Sequence, residues 1–219
     1  MNTAPYVAAY RDYVTATDAA ARLIDPELTP EANLRRQATT ITSARGVLTG
    51  ATPAAPQPGA DGRTAILESR SPQDASDVAL QGREREKVAT LLQVGRPLPE
   101  IIAEASPLRI AAIIDDWEHL VEEDPSPDVA AAELRDAAFA RLVALGEADA
   151  VKVAIAEAET AQLAAWSRVL TEAQGPAVTL GGRQALKAAD PEGYREAFGD
   201  GLAIDHLSID RIETMTGRQ

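Results

Sequence analysis

The chain has 219 residues, 45% apolar and 4% aromatic, with no cysteine and a net charge of −13. The lack of cysteine excludes disulfides and thiolate chemistry, and no run approaches the roughly 20 apolar residues that span a bilayer. The negative balance opposes phosphate backbones, so nucleic acid is not expected as a partner; it favours basic partners or simple solubility. Alanine makes up about a fifth of the residues, which favours helix but buries little area per side chain. A thin core is the consequence, with apolar faces left for a protein partner or for self-association to complete.

A capping side chain joined to proline heads five apolar-periodic stretches, at Thr29-Pro30, Ser71-Pro72, Ser106-Pro107, Ser126-Pro127 and Asp190-Pro191. The side-chain oxygen accepts from an orphan N–H of the first turn and proline's fixed φ suits the first helical position, so each pair predicts a helix start. Residues 4–24 form a first predicted helix, with Tyr6, Tyr10 and Tyr13 at i, i+4 and i+7 on one face. That face either packs on the next helix or contacts another subunit. Residues 30–48 follow as a second helix with Leu34, Ala38, Ile41 and Leu48 on a common side and Gly50 as its stop. The pair makes an N-terminal helical hairpin over residues 1–50. Residues 51–63 hold three prolines and two glycines, which predicts a linker, extended to residue 70 as a boundary.

Beyond it, residues 72–94 predict a helix weakened at Gly82, and residues 98–105 a short one. Ser106-Pro107 opens a helix running to Glu123 with Ile110, Ile113, Ile114, Trp117 and Val121 on its apolar side. Residues 127–145, stopped by Gly146, and 147–174, stopped by Gly175-Pro176, complete the longer helices. Two short helices are expected over 183–189 and 191–198. The predicted body is thus a bundle of four or five helices over 71–199, followed by an apolar C-terminal tail over 200–219. In that tail Leu202, Ile204, Leu207, Ile209, Ile212 and Met215 are too apolar for solvated disorder, and dock on the body or on a neighbouring molecule.

Glu84–Val94, Leu98–Ala105 and Ser106–Trp117 succeed one another as helix, short helix and helix. This segment resembles the helix-turn-helix of bacterial regulators, which implies a last helix lying in the DNA major groove. That helix carries Arg109 as its one base, followed by Asp115, Asp116, Glu118, Glu122 and Glu123. Carboxylates facing phosphates oppose the counterion release that drives such binding. Residues 101–128 hold eight acids (Glu104, Asp115, Asp116, Glu118, Glu122, Glu123, Asp124, Asp128) against Arg109, a net of −7.

Asp115, Asp116, His119, Glu122 and Glu123 have the i, i+3 and i+4 spacing of metal ligands on one helix face. No Glu-x-x-His partner motif accompanies them, and solvated charge explains them as well; no metal or cofactor is expected. Gly181-Gly182-Arg183 offers a helix N-terminus for an anion, or a plain turn. Trp117 and Trp166 sit on apolar faces, either packed in the core, where both could share one cluster, or with one of them as an interface anchor. With no catalytic residues and no small-molecule substrate indicated, the expectation is an all-α, non-enzymatic interaction or assembly protein, cytoplasmic or virion-associated. A bacteriophage virion structural component is its specific form, suggested by the helical Ala-rich composition and 18 arginines against 3 lysines. Its interface residues would be Tyr6, Tyr10, Tyr13 and the six apolar residues of the tail. The alternatives are a DNA-binding helix-turn-helix regulator or phage packaging protein, and an enzyme whose site is not readable from sequence.

Overall fold

The computed structural model describes residues 1–56, 61–122, 124–175, 177–199 and 204–217. All regular structure among them is helical. In chain order the helices are α1 (Ala4–Arg22), α2 (Pro30–Ala51), α3 (Gly62–Glu68), α4 (Ala75–Gln93), α5 (Leu98–Ala103) and α6 (Pro107–Asp115). They continue as α7 (Trp117–Val121), α8 (Pro127–Ala144), α9 (Ala148–Ala173), α10 (Leu180–Ala189), α11 (Pro191–Phe198) and α12 (His206–Met215). Among the described residues no helix is long and apolar enough to cross a membrane.

The proline pairs mark helix starts through the expected chemistry. Thr29 accepts from the Ala32 N–H, Ser106 from Arg109 and Asp190 from Gly193. Pro127 opens α8 after Ser126, whose side chain makes no capping bond. Ser71-Pro72 does not open a helix: α4 begins at Ala75 because the Asp74 carboxylate takes the Ser76 and Asp77 N–H groups, a stronger cap three residues on. Gly95 and Gly146, at φ +84 and +77, supply the left-handed turns after α4 and α8.

Other boundaries depart from expectation. α2 passes through Gly50 to Ala51, held by Thr49 Oγ1 donating to Gln174 Oε1 and Gln174 Nε2 donating to Thr52 Oγ1. α4 runs unbroken through Gly82. Part of the expected linker is helical: Asp61 caps α3 by accepting from Arg63 and Thr64, and Leu67 is buried. The expected helix from Ser106 to Glu123 is two, α6 and α7, parted at Asp116 (φ −109, ψ 13). Asp115, Glu118 and Glu122 are like charges at i, i+3 and i+4 spacing, which opposes a continuous helix there. Residues 57–60 of the linker, Glu123, Pro176 of the expected stop, and 200–203 and 218–219 of the tail lie outside the described residues.

The chain divides into two compact units, Met1–Gln57 with Ala158–Gln219, and Pro58–Glu157. Rather than standing apart over 1–50, the hairpin α1–α2 therefore shares a core with the C-terminal helices. Tyr10, Ile41, Leu48, Trp166, Leu170 and Leu186 are its most buried large side chains. An Ala-rich hairpin has too little apolar area to close its own stripe, and the second half of α9 with α10–α12 supplies the cover. The second unit buries Ile101, Ile110, Ile113, Leu134, Phe139 and Leu142 around α4–α6 and α8. The two tryptophans lie in different cores, Trp166 in the first and Trp117 at the edge of the second.

Candidate functional site

Of the tyrosine stripe, Tyr10 and Tyr13 are buried within the chain and Tyr6 is half-buried against Trp166, ring centroids 6.1 Å apart. Burial pushes the Tyr10 hydroxyl up to about 12 and the Tyr13 hydroxyl up as well, against the opposing pull of Arg45. These residues are core, so α1 shows no aromatic outer face. The tail's placement is mixed. Ile204, Ile209 and Ile212 are buried, Leu207 and Met215 are exposed, and Leu202 lies outside the described residues. Tyr13 on α1, Arg45 on α2 and Glu213 on α12 form a polar ladder, with Arg45 Nη1 2.8 Å from Glu213 Oε1, which ties α12 to its own chain.

Where α12 meets the α1–α2 corner a groove of about 680 Å³ opens to solvent. The corner is built from polar residues that serve the backbone. Asn33 Oδ1 accepts from the Asp25 N–H, while its amide donates to the carbonyls of Asp25 and Leu28; Gln37 Nε2 donates to the Leu23 carbonyl. Asp25 also holds Arg36 at 3.1 Å. With those polar groups engaged, Ile24, Leu28 and Met215 are left 77%, 38% and 57% exposed around the groove, with Leu34 and Ile212 lining it. Arg211 stands in its wall, exposed and without an ion pair among the described residues. The groove is largely apolar, with Arg211 the one cation among its lining residues.

Sequence reasoning named Ile212 and Met215 but missed Ile24, Leu28 and Arg211. The one signal for the first two was their place at the junction of the two predicted helices, Ile24 ending the first and Leu28 between them, where apolar residues have no local core to enter.

Of the two readings of Gly181-Gly182-Arg183, the structure does not leave the helix N-terminus open to an anion. Thr179 caps α10 by accepting from the Gly182 N–H, and the Glu172 carboxylate accepts from the Thr179 N–H and hydroxyl, so the protein's own acid fills that N-terminus. Burial pushes the Glu172 carboxyl up, but Arg168 and Thr179 outweigh it and hold it below the usual range. Among the described residues no three His, Asp or Glu side chains converge as metal ligands; of the sequence cluster, Asp115 pairs with Arg85 and Asp116 meets His119, while Glu123 lies outside the described residues.

The helix-turn-helix segment does appear as helix, short helix and helix, α4–α5–α6. Its one base on the last helix is engaged internally. Arg109 Nε lies 2.8 Å from Glu84 Oε2, and Lys87 donates to the other oxygen of the same carboxylate. Glu84 is 8% exposed. Hydrogen bonds from Lys87 and Arg109 hold it below the usual carboxylate range against burial. Trp117 packs under Arg135, whose guanidinium carbon is 4.3 Å from the ring centre. No known protein family matches this chain, and neither a curated protein nor a solved structure is similar to it.

Proposed function

We propose that the protein is a non-enzymatic interaction or assembly component whose groove at the α1–α2 corner receives an amphipathic helix of a protein partner. The observation that carries this reading is the exposure of Ile24, Leu28 and Met215 around one groove. Grouped apolar side chains on a wet surface favour association. Arg211 selects the occupant's chemistry: a helix with an apolar stripe and a carboxylate beside it. A structural role in a bacteriophage virion is the specific form proposed, and composition is its support.

A photo-cross-linker placed at Ile24 in the full chain, in the cell that makes it, tests the groove. One discrete protein adduct is expected, weakened by Arg211→Glu. No adduct, or adducts indifferent to Arg211→Glu and Met215→Asp, would contradict the reading. DNA binding by a regulator or packaging protein is the second reading, favoured by the α4–α5–α6 succession. It predicts salt-sensitive retention on duplex DNA, and absence of retention at low salt removes it.

A further inference from the structure

The second unit holds a cavity of about 360 Å³ lined from α3, α6, α7 and α8, and we infer that it binds a free α-amino acid with an apolar side chain. Its volume falls toward the lower end of the ~300–1,000 Å³ of small-molecule sites, which suits one small metabolite. Charges of both signs line it and are left unmatched by the protein. Glu68, the last residue of α3, is exposed, and its carboxylate makes no ion pair or hydrogen bond among the described residues. Arg135 on α8 is exposed too and makes no ion pair among them. Nothing in the sequence pairs these two residues; the fold brings them to one cavity, where they stop short of each other.

Each is anchored by a contact that leaves its polar atoms available. The guanidinium carbon of Arg135 lies 4.3 Å from the ring centre of Trp117. Stacking engages the face of the guanidinium and leaves its in-plane N–H donors for a bidentate carboxylate. The turn that carries Glu68 and Ser71 is tied from behind. Gln81 Nε2 donates to the Arg70 carbonyl at 3.0 Å, and Arg70 Nη2 lies 2.8 Å from Glu147 Oε2. Asp115 gives Oδ2 to Arg85 at 3.2 Å and faces the cavity as a second, already neutralised acid. Leu67, Ala111 and Ile114 supply the apolar wall beside the indole. A ligand of one sign would meet one of the free charges as its like. A zwitterion satisfies both: its carboxylate takes Arg135, its ammonium takes Glu68, and its side chain lies on the apolar wall. This goes beyond the assembly reading and uses no residue of the groove at the α1–α2 corner.

Isothermal titration calorimetry of the full chain with L-phenylalanine and L-leucine tests the site. Saturable binding of at least one of them is expected, with Kd of about 1 mM or tighter. Phenethylamine, which lacks the carboxylate, and hydrocinnamate, which lacks the ammonium, should each bind about tenfold more weakly than L-phenylalanine, or worse. Arg135→Gln and Glu68→Gln should weaken the amino acid by about the same factor. Both positions are exposed, so the variants should keep the urea midpoint of the native chain. Indole emission should change on binding in the native chain and not in Trp117→Phe, which retains buried Trp166 as a silent reference. No saturable binding of either amino acid, an affinity indifferent to both charge substitutions, or an emission change that persists in Trp117→Phe overturns the inference. Phenethylamine or hydrocinnamate bound as tightly as L-phenylalanine overturns it as well, by giving the cavity to an organic cation or a plain carboxylate. Ile24→Asp should bind as the native chain does; loss there would place the ligand in the corner groove and overturn the inference too.

Discussion

Glu84 shows how one buried carboxylate organises a surface. It accepts from Lys87 and Arg109 together, and without it two cations would lose the charge that draws them into register. Glu84→Gln should cost about 1.5–3 kcal/mol, the range for hydrogen bonds to charged groups. The pH dependence has a fixed sign. Because the folded-state pKa is depressed, its stabilisation is present above the ordinary carboxylate range and is lost as pH falls through the folded value. Urea unfolding from about pH 7 down to about pH 3 should show that acid limb in the native chain and a flatter one in Glu84→Gln. Equal slopes would mean that another carboxylate carries the acid sensitivity.

At the scale of the element, helix starts were legible where the signal is local. Thr29, Ser106 and Asp190 cap as their spacing with proline implies, since a cap needs only its own first turn. Ser71 failed for the same local reason, outcompeted by Asp74. What sequence did not show depends on contacts made across the chain. α3 forms inside the expected linker partly because Gly62 lies against α9, where a Cβ would stand 2.9 Å from Val153 Cγ1. Valine on a helix is stiff at χ1 and cannot swing aside. Gly62→Ala should therefore destabilise the chain by about 1–3 kcal/mol, as overpacking does, and Val153→Ala in the same chain should restore most of it. Urea melts of both single variants and the double variant check this; additive losses would mean that the two positions do not touch. The groove at the α1–α2 corner was half legible. Ile212 and Met215 stood out in an apolar tail, whereas Ile24 and Leu28 became a surface only once Asn33 and Gln37 had tied the turn beneath them.

For the whole molecule, the division into two cores follows from a composition rich in alanine. The hairpin has too few bulky side chains to close a core alone and closes on the C-terminal helices, while the middle helices close on one another. The first unit uses Trp166, Leu170 and Leu186; the second uses Phe139 and its isoleucines. The all-α class was legible in sequence, but the partnership of the chain's two ends was not, because no local pattern encodes which stripe covers which. Apolar groups that the two cores do not use are gathered at the α1–α2 corner, and that groove is the basis for reading the chain as an assembly component. Native mass spectrometry of the full protein, isolated gently at low salt from the cell that makes it, addresses that most directly. A defined complex above 23.1 kDa, containing further copies or a partner and lost on Ile24→Asp, is the predicted result. A bare 23.1 kDa chain at every concentration and salt would contradict it.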